Sequence, residues 1–206
     1  MGAAGRAKLI LASASPRRLV LLKQIGIVPD VIDPAYVDES PKPHEPPASL
    51  VIRLAADKAR AIAARHPGAW VLAADTVVAC GARSLPKPET KTAARDCLVL
   101  LSGRRHRVHG GVSVVTPKGF TRTRRTTTIV SFKRLSSNEI DRYIASGEWR
   151  DKAGGYAIQG LAAAFVKSIN GCYFNVVGLP LHDTLTLLTG LGFDAYATVE
   201  PLGVPA

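Results

Sequence analysis

Leu9-Ile10-Leu11-Ala12-Ser13-Ala14-Ser15-Pro16-Arg17-Arg18 sets a short apolar run directly against a polar turn and the start of a second apolar pattern, Leu19, Leu22 and Ile25. The first run reads as a buried strand over Lys8–Ala12 and the second as one stripe of a helix that stops near Gly26. Ser15 suits an N-cap, and Pro16 suits the first helical position, where its missing N–H has no partner to lose. The pair makes one β-α unit, the building block of an α/β fold. Free N–H groups at such a helix start favour an anion, and the guanidiniums of Arg17 and Arg18 add planar donors that match phosphate oxygens. Arginines in a first turn are also common as solvated surface residues, so these positions alone leave both readings open.

Outward from this unit, Val28–Asp33 reads as a second strand, followed by a proline-rich loop from Pro34 to Pro47 that carries Asp38 and Glu39. A helix is expected from about Ala48 to Arg65, with Val51, Leu54, Ala55 and Ile62 turned inward. Lys58 falls within that stripe, where either its stem snorkels or its ammonium meets an anion. Trp70–Cys80 is apolar on both alternating sets, the pattern of a strand buried on both faces. Asp75 stands in its middle. A carboxylate there needs a cation or metal partner, or it titrates near neutrality, and a core ion pair is the purely structural alternative.

The second half predicts a turn region over Gly81–Glu89 containing Pro86-Lys87-Pro88, then a helix over about Thr90–Leu101. Two strands, His106–Thr116 and Phe120–Leu135, are expected to form a hairpin around Pro117-Lys118-Gly119. Ser136 to Glu139 has capping-box spacing and opens a helix through Ser146. A glycine-rich loop, Gly154–Gly160, matches neither of the common phosphate-loop patterns. Asn170-Gly171 between Leu161–Ile169 and Cys172–Val177 reads as a further hairpin, and Pro180 starts a last helix to about Thr189. Residues 1–7 and 194–206 read as loose ends of a single domain spanning 1–206.

With 206 residues and 47% hydrophobic composition, the chain has ample material for a core. No apolar run approaches the roughly 18 residues that span a bilayer, so a cytoplasmic location without membrane association is expected. Cys80, Cys97 and Cys172 are widely spaced and read as reduced core residues. A net charge of +11 calls for an acidic partner without saying which. His44, His66, His106, His109 and His182 are scattered without cysteines at finger spacing, which argues against zinc. The absence of a G-x-S-x-G elbow argues against a serine hydrolase. What remains is Glu39, Asp75, Lys58, Lys87, Arg17 and Arg18, a set suited to polyphosphate chemistry with a hard cation.

Ser13–Arg18, Ala74-Asp75-Thr76, Lys87-Pro88, Ser102-Gly103-Arg104 with His106, Lys152–Gly160 and Asn175–Pro180 together resemble the signature series of the Maf nucleotide pyrophosphatases. The resemblance runs from about Leu9 to Leu188. It implies an α/β fold with an elongated twisted mixed sheet flanked by helices, two lobes around a nucleotide cleft as in the inosine triphosphatases, and a homodimer. It also implies hydrolysis of a nucleoside triphosphate to the monophosphate and pyrophosphate with Mg²⁺ or Mn²⁺. By position, Asp75 corresponds to the proton acceptor, and Glu39, Lys58 and Lys87 to the catalytic polar groups around phosphate and metal, with Glu39 and Asp75 as the metal ligands. Ser13, Arg17, Arg18, Thr76 and Gln159 fall on substrate-binding positions, of which Arg17, Thr76 and Gln159 set base preference. The Ile158-Gln159-Gly160 version resembles the branch acting on dTTP and UTP, whereas the 7-methyl-GTP branch carries an acidic residue in that loop. Pro86 and Gly110 depart from the residues frequent at their positions, glycine and threonine respectively. Competing readings are a pyrophosphatase for modified nucleotides, and a non-catalytic basic protein that binds nucleic acid or takes part in division. The latter rests on the net charge and on Arg122, Arg124 and Arg125. Few aromatics are available for base stacking and no nucleic-acid module is recognisable, so no specific nucleic-acid partner is expected.

Overall fold

Two parallel strands and a long antiparallel hairpin meet at one central strand, and that strand carries the acidic residue singled out above. The structure, a computed structural model, describes residues 7–195. Strand β1, Leu9–Leu11, leads into helix α1, Pro16–Gln24, as the opening stretch predicts. Ser15 takes the N-cap position but makes no side-chain cap bond; its N–H donates to Ser13 Oγ at 3.2 Å instead. Strand β2, Val31–Ile32, is shorter than expected and lies parallel to β1. Helix α2, Pro47–Arg65, follows.

Strand β3, Trp70–Cys80, pairs in parallel with β1 and antiparallel with β5, Arg105–Val115. Strand β6, Thr121–Phe132, completes the expected hairpin with β5, and β7, Val166–Asn170, adds a further antiparallel strand. The sheet is seven-stranded and mixed, with the order β2-β1-β3-β5-β6-β7. Strand β4, Arg83–Leu85, lies inside the region expected to be only turn and folds back on the end of β3. Helices α3, Lys91–Leu101, and α4, Ser137–Ser146, match expectation, the latter with its full capping box.

The expected hairpin around Asn170-Gly171 is not formed. Gly171, at φ 124°, turns the chain out of β7 into a short helix α5, Tyr173–Val177, and then α6, Leu181–Gly190. The cause is tertiary. Asn175 is fully buried, and its Nδ2 donates to Val108 O and to Thr128 Oγ1, both at 3.0 Å. Thr128 Oγ1 also bonds the backbone N–H and C=O of Cys172, each at 3.1 Å. One threonine thus satisfies the groups that a strand ladder would have used.

Alternation along β3 and β5 places the core on both faces of the sheet. On one face Leu72 and Ala74 of β3 with Val112 and Val114 of β5 pack under α1 and α6, while Val78 and Val108 belong to a second cluster under α3 and α4. Between the two clusters lie Thr76 and Gly110, which are register partners. On the other face Val71 and Ala73 pack under the middle of α2 and Val77 under its start, and Asp75 separates them. The two-lobed organisation therefore arises where one dipeptide, Asp75-Thr76, interrupts the apolar surface on both sides. Phe193 and Ala195 are buried, so the packed chain extends past the expected start of the tail; residues 1–6 and 196–206 lie outside the described residues. Among the cysteines, all free, Cys97 is buried as expected whereas Cys80 and Cys172 are only half-buried.

Candidate active site

Strand β3 fixes Asp75 rigidly, with 7% of its surface exposed, facing helix α2. Lys58 on that helix is equally buried, and its Nζ lies 2.5 Å from Asp75 Oδ1 and 2.6 Å from Glu39 Oε1. Of the two readings for Lys58, the structure selects the anion. Glu39 comes from the proline-rich loop and is half exposed, so one ammonium bridges a carboxylate held by the sheet and one held by a loop.

Arg18, in the first turn of α1, reaches across the break in the core. Its Nε donates to Gly178 O at 3.0 Å, Nη1 to Ser13 Oγ at 2.9 Å and Nη2 to Thr76 Oγ1 at 3.4 Å. Arg17 points to the other wall, donating from Nη2 to Asp151 O at 3.3 Å, while its buried Nε has no partner. Asp151 holds a left-handed backbone, φ 57°, an uncommon conformation outside glycine that aims its carbonyl at Arg17. Neither the Asp151 nor the Gly178 carbonyl was foreseeable from residue types.

A cleft of about 580 Å³ runs along this wall and is bordered by Ser13, Arg17, Arg18, Glu39, Lys58 and Lys87. Two further cavities adjoin it: one passes Asp75 and Thr76, and the other passes Arg17, Thr76 and Gln159. Lys87, exposed on the Pro86-Lys87-Pro88 segment, borders all three. Ser13, Arg17, Arg18, Glu39, Lys58, Asp75, Lys87, Thr76 and Gln159 therefore border this cleft or the two cavities that adjoin it. Lys152 was missed as a site residue: it borders the cleft beside Arg17, and its Nζ donates to Arg150 O at 3.0 Å. Its place at the head of the Lys152–Gly160 segment was the available signal. That segment packs tightly, since a Cβ on Gly154, at φ 70°, would stand 2.9 Å from Val78 Cγ1.

Cations outnumber acids here, and burial works against them. Burial lowers the Arg18 pKa, partly offset by Asp75 and Glu39, with Arg17 adding to the lowering. Burial lowers that of Arg17 as well, against Asp151, and that of Lys152, helped by Arg17. For Glu39 burial acts upward, but the hydrogen bond from Lys58 and the charges of Lys58, Lys87 and Arg18 outweigh it and hold the carboxyl below its usual range. A cleft of crowded, partly desolvated cations is complementary to a polyanion. Glu39 Oε1 and Asp75 Oδ1 both lie against the Lys58 ammonium, and these two carboxylates are the residues here that could hold a small metal ion. Among the described residues no group of three or more His, Cys, Asp or Glu side chains could hold a metal. Water and phosphate oxygens would supply the remaining ligands, as is common for Mg²⁺.

The residues assigned to rival readings do not join this cleft. Arg122, Arg124 and Arg125 are exposed on β6, and Arg124 pairs with Asp183 at 3.1 Å. His106 and His109 lie on β5, where His106 bonds Tyr156 Oη at 2.8 Å and His109 bonds Thr127 Oγ1 at 3.1 Å. No helix among the described residues is long and apolar enough to cross a membrane.

Comparison with known proteins follows the same boundaries. The chain is 61% identical over 187 residues to a protein of Paramagnetospirillum magneticum named dTTP/UTP pyrophosphatase, covering 91% of this chain and 98% of that one. Proteins of the same name from Caulobacter vibrioides and Rhodospirillum rubrum are each 58% identical, over 93% and 90% of this chain and 98% and 88% of theirs. Among solved structures, a nucleoside-triphosphatase (dITP/XTP pyrophosphatase) of Mycobacterium abscessus shares 20% identity over 63% of this chain and 75% of that one, at a TM-score of 0.41, too loose a likeness to carry an argument. The family model described as Maf-like protein matches residues 8–191, and the chain belongs to that family.

Proposed function

We propose that the protein hydrolyses dTTP and UTP between the α- and β-phosphates, releasing the nucleoside monophosphate and pyrophosphate. The observation that carries this reading is the Glu39–Lys58–Asp75 bridge at the edge of a cleft otherwise lined by Arg17, Arg18 and Lys87. The names of relatives at 58–61% identity support the substrate class. In this reading Asp75 accepts the proton of the water that attacks the α-phosphorus, and the electron pair of the breaking anhydride bond leaves with pyrophosphate. Arg17, Arg18 and Lys87 hold the phosphate chain and meet the charge that develops on it. Lys58 pairs with Asp75 and holds it in place. Glu39 and Asp75 would hold Mg²⁺ or Mn²⁺, which when bound neutralises phosphate oxygens and polarises the phosphorus. Ser13 orients Arg18, while Thr76 and Gln159 border the cavity for the base. The protein acts in the cytoplasm as a homodimer, a state that light scattering on the purified protein tests.

Pyrophosphate release from a nucleotide panel in the presence of Mg²⁺ or Mn²⁺ tests the activity. UTP and dTTP are expected to give equimolar monophosphate and pyrophosphate. Release of orthophosphate instead, or no turnover of any nucleotide, would refute the reading.

A further inference from the structure

Glu39 has to be delivered to Lys58 by a loop that has no ladder of its own. Between β2 and α2 the chain is rich in proline, and besides the Glu39–Lys58 contact itself, one side chain of α2 ties down the residues that follow Glu39. Arg53 donates from Nε to Glu45 Oε1 and from Nη2 to Glu45 Oε2, both at 2.7 Å, a two-point fork on one carboxylate. The same Nη2 donates to Ser40 O at 2.9 Å, the carbonyl of the residue next to Glu39. Glu45 is turned toward the helix by a tight reversal: His44 adopts φ 57°, the Glu45 N–H donates to Lys42 O at 3.0 Å, and the Lys42 N–H donates to Glu45 Oε2 at 3.0 Å. Asp57, one turn further along α2, lies 3.7 Å from Arg53 Nη1 and adds a second acidic neighbour. Arg53 and Lys58 project from the same helix, so the partner of Glu39 and the anchor of its loop share one rigid body.

We infer that Arg53, through Glu45 and the Ser40 carbonyl, is a positioning residue that sets the Glu39 carboxylate at the cation position beside Asp75. This rests on the reading of Glu39 and Asp75 as the metal-holding pair. Carboxylates that ligate cations need outer partners to hold their geometry, and loss of such a partner weakens metal binding by roughly 10–100-fold. Arg53 touches neither substrate nor reacting atoms. Its effect therefore has to pass through Glu39.

A double-substitution cycle reads that dependence. Mn²⁺ affinity is measured by electron paramagnetic resonance on the full chain with the non-hydrolysable α,β-imido analogue of UTP, for the parent, Arg53→Gln, Glu39→Gln and the double variant, alongside kcat, KM for UTP and the melting temperature. Arg53→Gln is expected to weaken Mn²⁺ binding about 10-fold or more with little change in KM. In the Glu39→Gln background the same substitution should change Mn²⁺ affinity by less than about twofold, the sign of a shared path. Equal losses in both backgrounds, or no loss in the parent, would overturn the inference. Glu39→Gln with unaltered Mn²⁺ affinity and turnover would remove the metal reading itself, and the inference with it, whereas a Glu39 effect without an Arg53 effect removes only the inference. Should Arg53→Gln fold poorly, Glu45→Gln loosens the same fork from the loop side and is expected to give the same pattern, smaller in size.

Discussion

Lys58 Nζ and Asp75 Oδ1 stand 2.5 Å apart in a buried contact between helix α2 and strand β3. A second carboxylate, Glu39, shares the same ammonium. The arrangement gives the one carboxylate in the middle of a strand buried on both faces a cationic partner built into the neighbouring helix.

Asp75→Asn is the most direct test of the chemical role. The amide keeps an oxygen for Lys58 but cannot accept a proton, so turnover should fall by about 10²–10⁴-fold. Because Glu39 still partners Lys58, the loss of stability should stay near 1–3 kcal/mol. Single-turnover rates and thermal melting separate the two effects; an active Asp75→Asn protein would refute the role.

Exhaustive chelation is expected to abolish turnover, and either Mg²⁺ or Mn²⁺ should restore it, since the available ligands are hard carboxylate oxygens. Full activity in the chelated protein would mean that Lys58 and the arginines suffice.

Gln159 is exposed beside the cavity that Arg17 and Thr76 also border. Uracil and thymine present an N3–H donor beside a carbonyl acceptor, and one amide complements both. Cytosine presents a bare N3 and an amino group, so a fixed amide mismatches it by roughly 1–3 kcal/mol, or roughly 5–150-fold in selectivity. Gln159→Glu should collapse the preference for UTP over CTP. An unchanged UTP/CTP ratio would show that another group reads the base.

Acid should loosen the lobe that contains His106. Burial depresses this histidine from 6.5 to about 4, so between those values the unfolded chain binds the proton and the folded chain does not. Stability therefore falls as pH drops from about 6.5 towards 4, by up to about 3 kcal/mol from this group. Melting curves at pH 7.5 and 5 should show the drop for the parent and a smaller one for His106→Leu.

Gly110 faces Asn175 so closely that a Cβ there would overlap Asn175 Oδ1. Two hydrogen bonds fix that amide, and it cannot retreat freely. Gly110→Ala should destabilise the protein by about 1–3 kcal/mol, and Asn175→Ala in the same chain should recover part of the loss. Calorimetry decides.

The central strand, the turn before Arg17 and Arg18, and the stripe containing Lys58 could be read directly because local pattern decides them. Trp70–Cys80 is apolar on both faces except at the dipeptide Asp75-Thr76, and an exception of that kind is visible in any sequence. Helix α5 could not be read in this way. Asn170-Gly171 carries the local chemistry of a hairpin, and what overrides it is a pair of buried side chains, Thr128 and Asn175, drawn from positions far apart in the chain. Strand β4 escaped for a related reason: three residues among turn formers become a strand only because the end of β3 offers a free edge. The cation cleft was legible as residue types, but its geometry depends on two backbone carbonyls, those of Asp151 and Gly178, which no residue type announces.

Strands β3 and β5 run in unbroken register from Val71–Val115 to Ala79–Arg107, straight past Asp75 and Thr76. The two hydrophobic clusters consequently share one hydrogen-bonded floor. Swinging one cluster against the other would shear that ladder at Asp75 and Thr76, so a hinge of the kind found between separately folded halves has nowhere to sit.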